Sequence, residues 1–278
     1  MPHSGHCMGG KMFGEHRTVF GGLAVALALW PVSAVCAEPE ACAKLLLGES
    51  RITAIEDSRT LALEDGRKIR LAGIEWAVPA AEARAILADL LLNRQVTVAA
   101  PERSEPDRYG RLDAFPIVHA FRSVSGSETP IQYGLLERGI ALVNGRVVDK
   151  SCAGALQAAE NRARDQRLGG FAKGGPAAHR ADNHGAILEQ IGRFAVVEGK
   201  VLSVREAGST IYVNFSRRWS EDFTVTIAKR LQPAFISGGV APKSLSGQVV
   251  RVRGFLEERS GPWIEAVSPA QIETAGGQ

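Results

Sequence analysis

Short apolar runs recur along this chain at spacings too tight for helices, and turn residues separate them. Leu45–Leu47, Ile52–Ile55, Thr60–Leu63 and Lys68–Ile74 alternate with Gly48-Glu49-Ser50, Asp57-Ser58 and Asp65-Gly66. That pattern predicts a β-meander over residues 45–75. The next stretch, AAEARAILADLLLN at 80–93, places apolar side chains at 83, 86, 87, 90 and 91, a helical spacing. Two further strands are expected at Val96–Ala99 and Ala114–Phe121, around the polar loop PERSEPDRYGRLD. Two further helices are expected at Ile131–Arg138 and Ala155–Arg167.

From Arg193 the β pattern returns: FAVVEGKVLSV, STIYVNFS and DFTVTIA, a helical LQPAFI, then QVVRVRGFLEE and PWIEAVSPAQIE. Three strands, a short helix and two strands is the element order of an OB-type Greek-key barrel. A stretch rich in Gly, Ala, Asn and His separates the two halves and reads as a linker. Its histidines, His179 and His184, read as solvated linker residues rather than metal ligands.

A length of 278 residues suits about two domains. The net charge of +3 is too small to argue for a polyanion partner. At the N-terminus, Lys11 and Arg17 precede the apolar run FGGLAVALALWPVSAVCA, which ends with Val35 and Ala37 at small-residue positions. This predicts an export signal over 1–37, hence a periplasmic or secreted protein with no stable membrane span once the signal is removed. The expected division is then signal 1–37, first domain 38–172, linker 173–190 and second barrel 191–275. Two cysteines remain in the mature chain, Cys42 and Cys152. An even pair in an exported protein suggests a disulfide, and two cysteines without clustered histidines make a poor zinc site.

Four fragments in order, EDSRTLALEDGRKIRLAGIEW, DRYGRLDAF, LLERGIALV and CAGALQAAENRARDQRLGGF, resemble the staphylococcal-nuclease-like (thermonuclease) family over about residues 50–172. The resemblance implies a five-stranded OB-type barrel with three helices. The whole mature chain is thus expected to be β-rich α+β, an OB-type barrel with helices followed by a second small OB-like β-barrel. It also implies hydrolysis of DNA or RNA phosphodiesters with one Ca²⁺. The family's two phosphate-clamping arginines match Arg70 and Arg111, and Asp107 and Tyr109 match at the start of the same loop.

The metal and general-base positions depart from the family pattern. A calcium aspartate is Arg59, and the second metal aspartate is Glu75. The threonine that follows is Trp76, and the family's general-base glutamate falls on Val78. One charge at ~5 Å in an effective dielectric near 20 is worth roughly 3 kcal/mol, so an inward-pointing Arg59 opposes Ca²⁺. Glu82, at the start of the following helix, is a weak substitute base, since glutamates there commonly serve the helix dipole.

Three functions fit these residues. The first is a catalytically impaired nuclease-like protein that binds single-stranded nucleic acid or a nucleotide, with no cofactor. The second is an active Ca²⁺-dependent nuclease with a rearranged site. The third is an envelope scaffold with a protein partner. In the second barrel, Tyr212, Phe215, Arg217, Arg218, Trp219 and Phe223 are candidates for a stacking surface. The three alternating aromatics read more readily as core, and Arg217-Arg218-Trp219 as an exposed hairpin loop.

Overall fold

Alternating inward and outward side chains build the first module, as over Lys68–Leu71, where Ile69 and Leu71 are buried while Lys68 and Arg70 face outward. The computed structural model describes residues 41–274, except 102–103, 123–127, 148, 173–178 and 218–222, and except the side chains of 119–122 and 128. The expected signal segment and the Arg218-Trp219 pair lie outside the described residues.

The first module runs β1 (Leu45–Ile55), β2 (Thr60–Leu63), β3 (Lys68–Leu71), β4 (Ile74–Trp76), α1 (Ala80–Leu91) and β5 (Gln95–Ala100). It continues with β6 (Arg111–Arg122), β7 (Glu128–Pro130), α2 (Ile131–Glu137), β8 (Ala141–Val143) and α3 (Lys150–Asp165). β1 pairs antiparallel with β2 and β5, β2 with β3, and β5 with β6. A parallel β3–β6 ladder closes the ring. The result is a closed five-stranded mixed barrel with a few helices, consistent with an OB-type barrel.

Two local expectations are corrected. The runs at 45–47 and 52–55 belong to one strand, because Gly48, at φ +87°, absorbs a register shift between Leu46 and Glu49 without ending the pairing. The run at 68–74 breaks at Gly73, at φ +79°, and Ile74–Trp76 pairs instead with β8. A Cβ at Gly73 would lie 2.7 Å from a Leu156 methyl carbon, so helix α3 packs tightly under this turn. Asp149 caps α3 by accepting from the Cys152 N–H, which starts the helix earlier than its apolar spacing predicts. Cys42 and Cys152 form a disulfide across 110 residues.

The second module runs β9 (His179–Arg180), α4 (His184–Leu188), β10 (Phe194–Lys200), β11 (Ser203–Ala207), β12 (Thr210–Asn214) and β13 (Thr224–Ala228). It ends with α5 (Gln232–Ser237), β14 (Val249–Phe255), β15 (Glu257–Glu258), β16 (Pro262–Glu265) and β17 (Ile272–Thr274). Two sheets, β17-β14-β10-β9 and β11-β12-β13-β16-β15, enclose its core. Phe223 is buried there against the half-buried Phe215, their ring centroids 5.0 Å apart, while Arg217 is exposed. Residues 179–190, read from sequence as linker, contribute β9, paired in parallel with β10, and the buried Ile187.

The modules meet through β8 and α3. Leu142 and Ala77 pack with Val196, Phe171 and Phe194. Beside this patch, Arg253 of β14 and Glu160 of α3 are both fully buried and form an ion pair at 2.8 Å. Arg253 also donates to the Val143 carbonyl at 2.8 Å and contacts Glu273. Glu160 accepts in turn from the Val143 N–H and from Arg164. Both modules fall within one compact unit. Among the described residues, no helix is long and apolar enough to cross a membrane.

Candidate functional site

Arg70 reaches the barrel rim because strand alternation turns it outward between two core residues. The parallel β3–β6 register sets it opposite Asp113, and its Nε donates to that carboxylate at 2.7 Å. This hydrogen bond, working against partial burial, holds the Arg70 pKa above its ordinary value.

The turn preceding β2 supplies the second cation. Asp57 Oδ1 accepts from the Arg59 and Thr60 N–H groups at 2.6 and 2.8 Å, and Trp76 Nε1 donates to the Ser58 carbonyl at 2.7 Å. Burial raises the Asp57 pKa, but those backbone bonds and the Arg111 charge together hold it below the usual value. The pinned turn points Arg59 at Glu75, with Nη2 2.5 Å from Oε2. Burial pushes the Glu75 carboxyl up, and the Arg59, Arg146 and Arg70 charges oppose that rise.

These residues do not fit a calcium ion. A hard cation needs several oxygen ligands, yet a guanidinium occupies the face of Glu75. Among the described residues, no group of three or more His, Cys, Asp or Glu side chains is placed to hold a metal.

The second clamp candidate is differently engaged. Arg111 donates through Nε to Asp107 at 2.9 Å, and its guanidinium lies 5.0 Å from the Tyr109 ring centroid. Its Nη1 sits 3.5 Å from Thr60 Oγ1, on the residue that pairs with Arg70 in the β2–β3 ladder. The Arg111 hydrogen bonds hold the Asp107 carboxyl down at about 2. Glu82 lies exposed in the first turn of α1, and neither it nor Arg111 lines the cleft described next.

A cleft of about 710 Å³ opens beside Arg70. Its wall is apolar, with Leu71, Ile74, Phe115 and Val147 next to the disulfide, and Phe255 enters from the second module. Four cations, Lys44, Arg59, Arg70 and Arg146, and three acids, Glu75, Asp113 and Asp149, line it, leaving one positive charge in excess. Asp149 is committed to capping α3. Among the described residues, no carboxylate lies within ion-pair distance of Lys44 or Arg146. At longer range the Arg146 charge acts on Glu75 and the Lys44 charge on Asp149.

Arg146 is placed by a local device. Asn144 Oδ1 accepts from the Arg146 N–H at 2.9 Å, and Gly145 between them sits at φ +69°. A Cβ on Gly145 would come within 2.8 Å of Gln271, so the loop can lie against the second module only with glycine there. The sequence reading picked Arg70, Arg59 and Glu75 but passed over Lys44, Arg146 and Phe255. The Asn144-Gly145 turn was the local signal for Arg146; Phe255 had none, because it belongs to the other module. Neither protein-family models nor curated proteins match this chain.

Proposed function

We propose that this is an exported protein in which a staphylococcal-nuclease-like barrel holds a phosphate-bearing ligand, single-stranded nucleic acid or a nucleotide, without efficient phosphodiester cleavage. The Arg59–Glu75 ion pair carries this reading. It puts a guanidinium where the resemblance calls for a cation, inside a cleft that also presents Arg70, Arg146 and Lys44. Guanidinium and ammonium groups bind phosphate oxygens through charge-assisted hydrogen bonds. A clamp without metal or base can hold a phosphodiester but cannot activate a water on it. The disulfide fits an oxidising compartment outside the cytoplasm.

A scaffold reading draws on a different observation, the engagement of Arg70 by Asp113 and of Arg111 by Asp107. Fluorescence anisotropy of a labelled single-stranded oligothymidylate, titrated with mature protein at about 50 to 200 mM salt, separates the two. Ligand binding gives an affinity that falls with salt and weakens in Arg70→Ala. No binding at low salt, or binding indifferent to salt, removes the proposal and favours the scaffold.

A further inference from the structure

We propose that Phe255 of the second module is a ring-stacking specificity determinant of the cleft, whose ligand is an anion joined to a planar ring, a nucleoside monophosphate. The inference rests on the phosphate-binding reading above and adds what lies beyond the phosphate.

Phe255 is held firmly where the two modules meet. It stands opposite Phe194 in the β10–β14 ladder, and the two rings meet edge to face at 5.6 Å and 76°. The next residue, Leu256, is tied on both sides, donating to the Arg193 carbonyl at 2.9 Å and accepting from the Gly192 N–H at 2.8 Å. Phe255 is nonetheless only half-buried, and its ring lines the cleft.

The guanidinium carbons of Arg59 and Arg146 lie 5.8 and 6.0 Å from the centre of this ring. Both lie over the ring at the outer limit of cation–π reach, roughly 6 Å, so neither packs tightly against it. A planar ring laid on Phe255 would displace these loosely held guanidinium groups from its face, and a phosphate attached to it would meet Arg146, Arg59 or Arg70. Inorganic phosphate would use only the cations and leave the half-buried Val147 and Phe255 side chains facing water. A volume of about 710 Å³ is in the range of small-ligand pockets.

Isothermal titration of the mature, disulfide-bonded protein with inorganic phosphate, adenosine and adenosine 5′-monophosphate tests this. Adenosine monophosphate should bind roughly 5- to 150-fold tighter than phosphate, the span that base–aromatic stacking supplies. Phe255→Leu, which keeps an apolar side chain, should cut that advantage to under about threefold and leave phosphate binding unchanged. Phe255→Trp, with a larger ring, should keep the advantage, which guards against misreading a folding defect in the leucine variant. Saturation-transfer NMR on the unmodified protein should show stronger transfer to adenine protons than to ribose protons.

If phosphate binds but the nucleotide binds no tighter, or if Phe255→Leu leaves the nucleotide advantage intact, Phe255 is not a specificity determinant and the phosphate-binding reading stands alone. If neither phosphate nor nucleotide binds, the phosphate-binding reading falls and this inference with it.

Discussion

Replacing Arg253 by methionine keeps the volume of the long side chain and removes its charge from the junction of the modules. Glu160 would then stay fully buried with its main counter-ion gone. Breaking a buried ion pair from one side costs about 3–5 kcal/mol, because the remaining charge is left uncompensated. Glu160 would keep Arg164 at 2.5 Å and the Val143 N–H at 2.6 Å, which argues for the lower part of that range. The lost bond to the Val143 carbonyl adds about 1 kcal/mol. A destabilisation of about 3–4 kcal/mol at pH 7 is therefore expected.

The pH dependence has a definite sign. In the native protein burial pushes Glu160 up, but the Arg253 charge and hydrogen bonds outweigh it and hold the carboxyl below its ordinary value. Its contribution is thus present above the unfolded-state pKa and lost as pH falls through the folded one. Without Arg253 the burial effect gains weight, the folded pKa rises, and the penalty grows with pH. Arg253→Met should lose more stability at pH 8 than at pH 5. Adding Glu160→Gln removes the stranded charge but keeps an acceptor for Val143, so the double variant should recover about 2 kcal/mol of the loss. Urea unfolding followed by tryptophan fluorescence reads both modules, since Trp76 lies in the first and Trp263 in the second. A loss under about 1 kcal/mol, or a double variant no more stable than Arg253→Met, would refute this view of the junction.

Replacing both Cys42 and Cys152 by serine opens a 110-residue loop and should cost about 5 kcal/mol in the chain-entropy model, read as a lower urea midpoint; an unchanged midpoint contradicts it. Arg59→Asp should create a calcium-dependent rise in melting temperature that the unmodified protein lacks, because it frees Glu75 and adds a second carboxylate. Asp107 should titrate near 2 by carboxyl NMR and move back towards 3.8 in Arg111→Ala. Its pair with Arg111 then supports the fold above the ordinary carboxylate range and releases it as pH falls towards 2.

Much of the first barrel was legible because its strands bury one face. Lys68-Ile69-Arg70-Leu71 alternates plainly, and that alternation alone put Arg70 on the outside. The length of β1 was not legible, since Gly48 looks the same in sequence whether it ends a strand or bends one. β8 was missed because all three of its residues, Ala141–Val143, are buried and show no alternation. At the site, the resemblance put Arg59 and Glu75 at the two metal positions but did not pair them, and their ion pair depends on how the Asp57 turn is pinned. The Arg253–Glu160 pair joins residues 93 apart, and nothing in the local pattern of either segment links them. Phe255 escaped for the same reason: a surface shared by two modules leaves no trace in the local periodicity of either.

The cleft is proposed to hold phosphate without cleaving the ester. A single time course tests it most directly: mature protein with end-labelled single-stranded DNA, in Ca²⁺ and in chelator, resolved for both protein-bound and shortened strands. The expected result is bound, full-length strand in both conditions, with less of it bound when Arg70 is alanine. Rapid shortening that needs Ca²⁺ and disappears in Arg70→Ala would contradict it and make this chain a working nuclease.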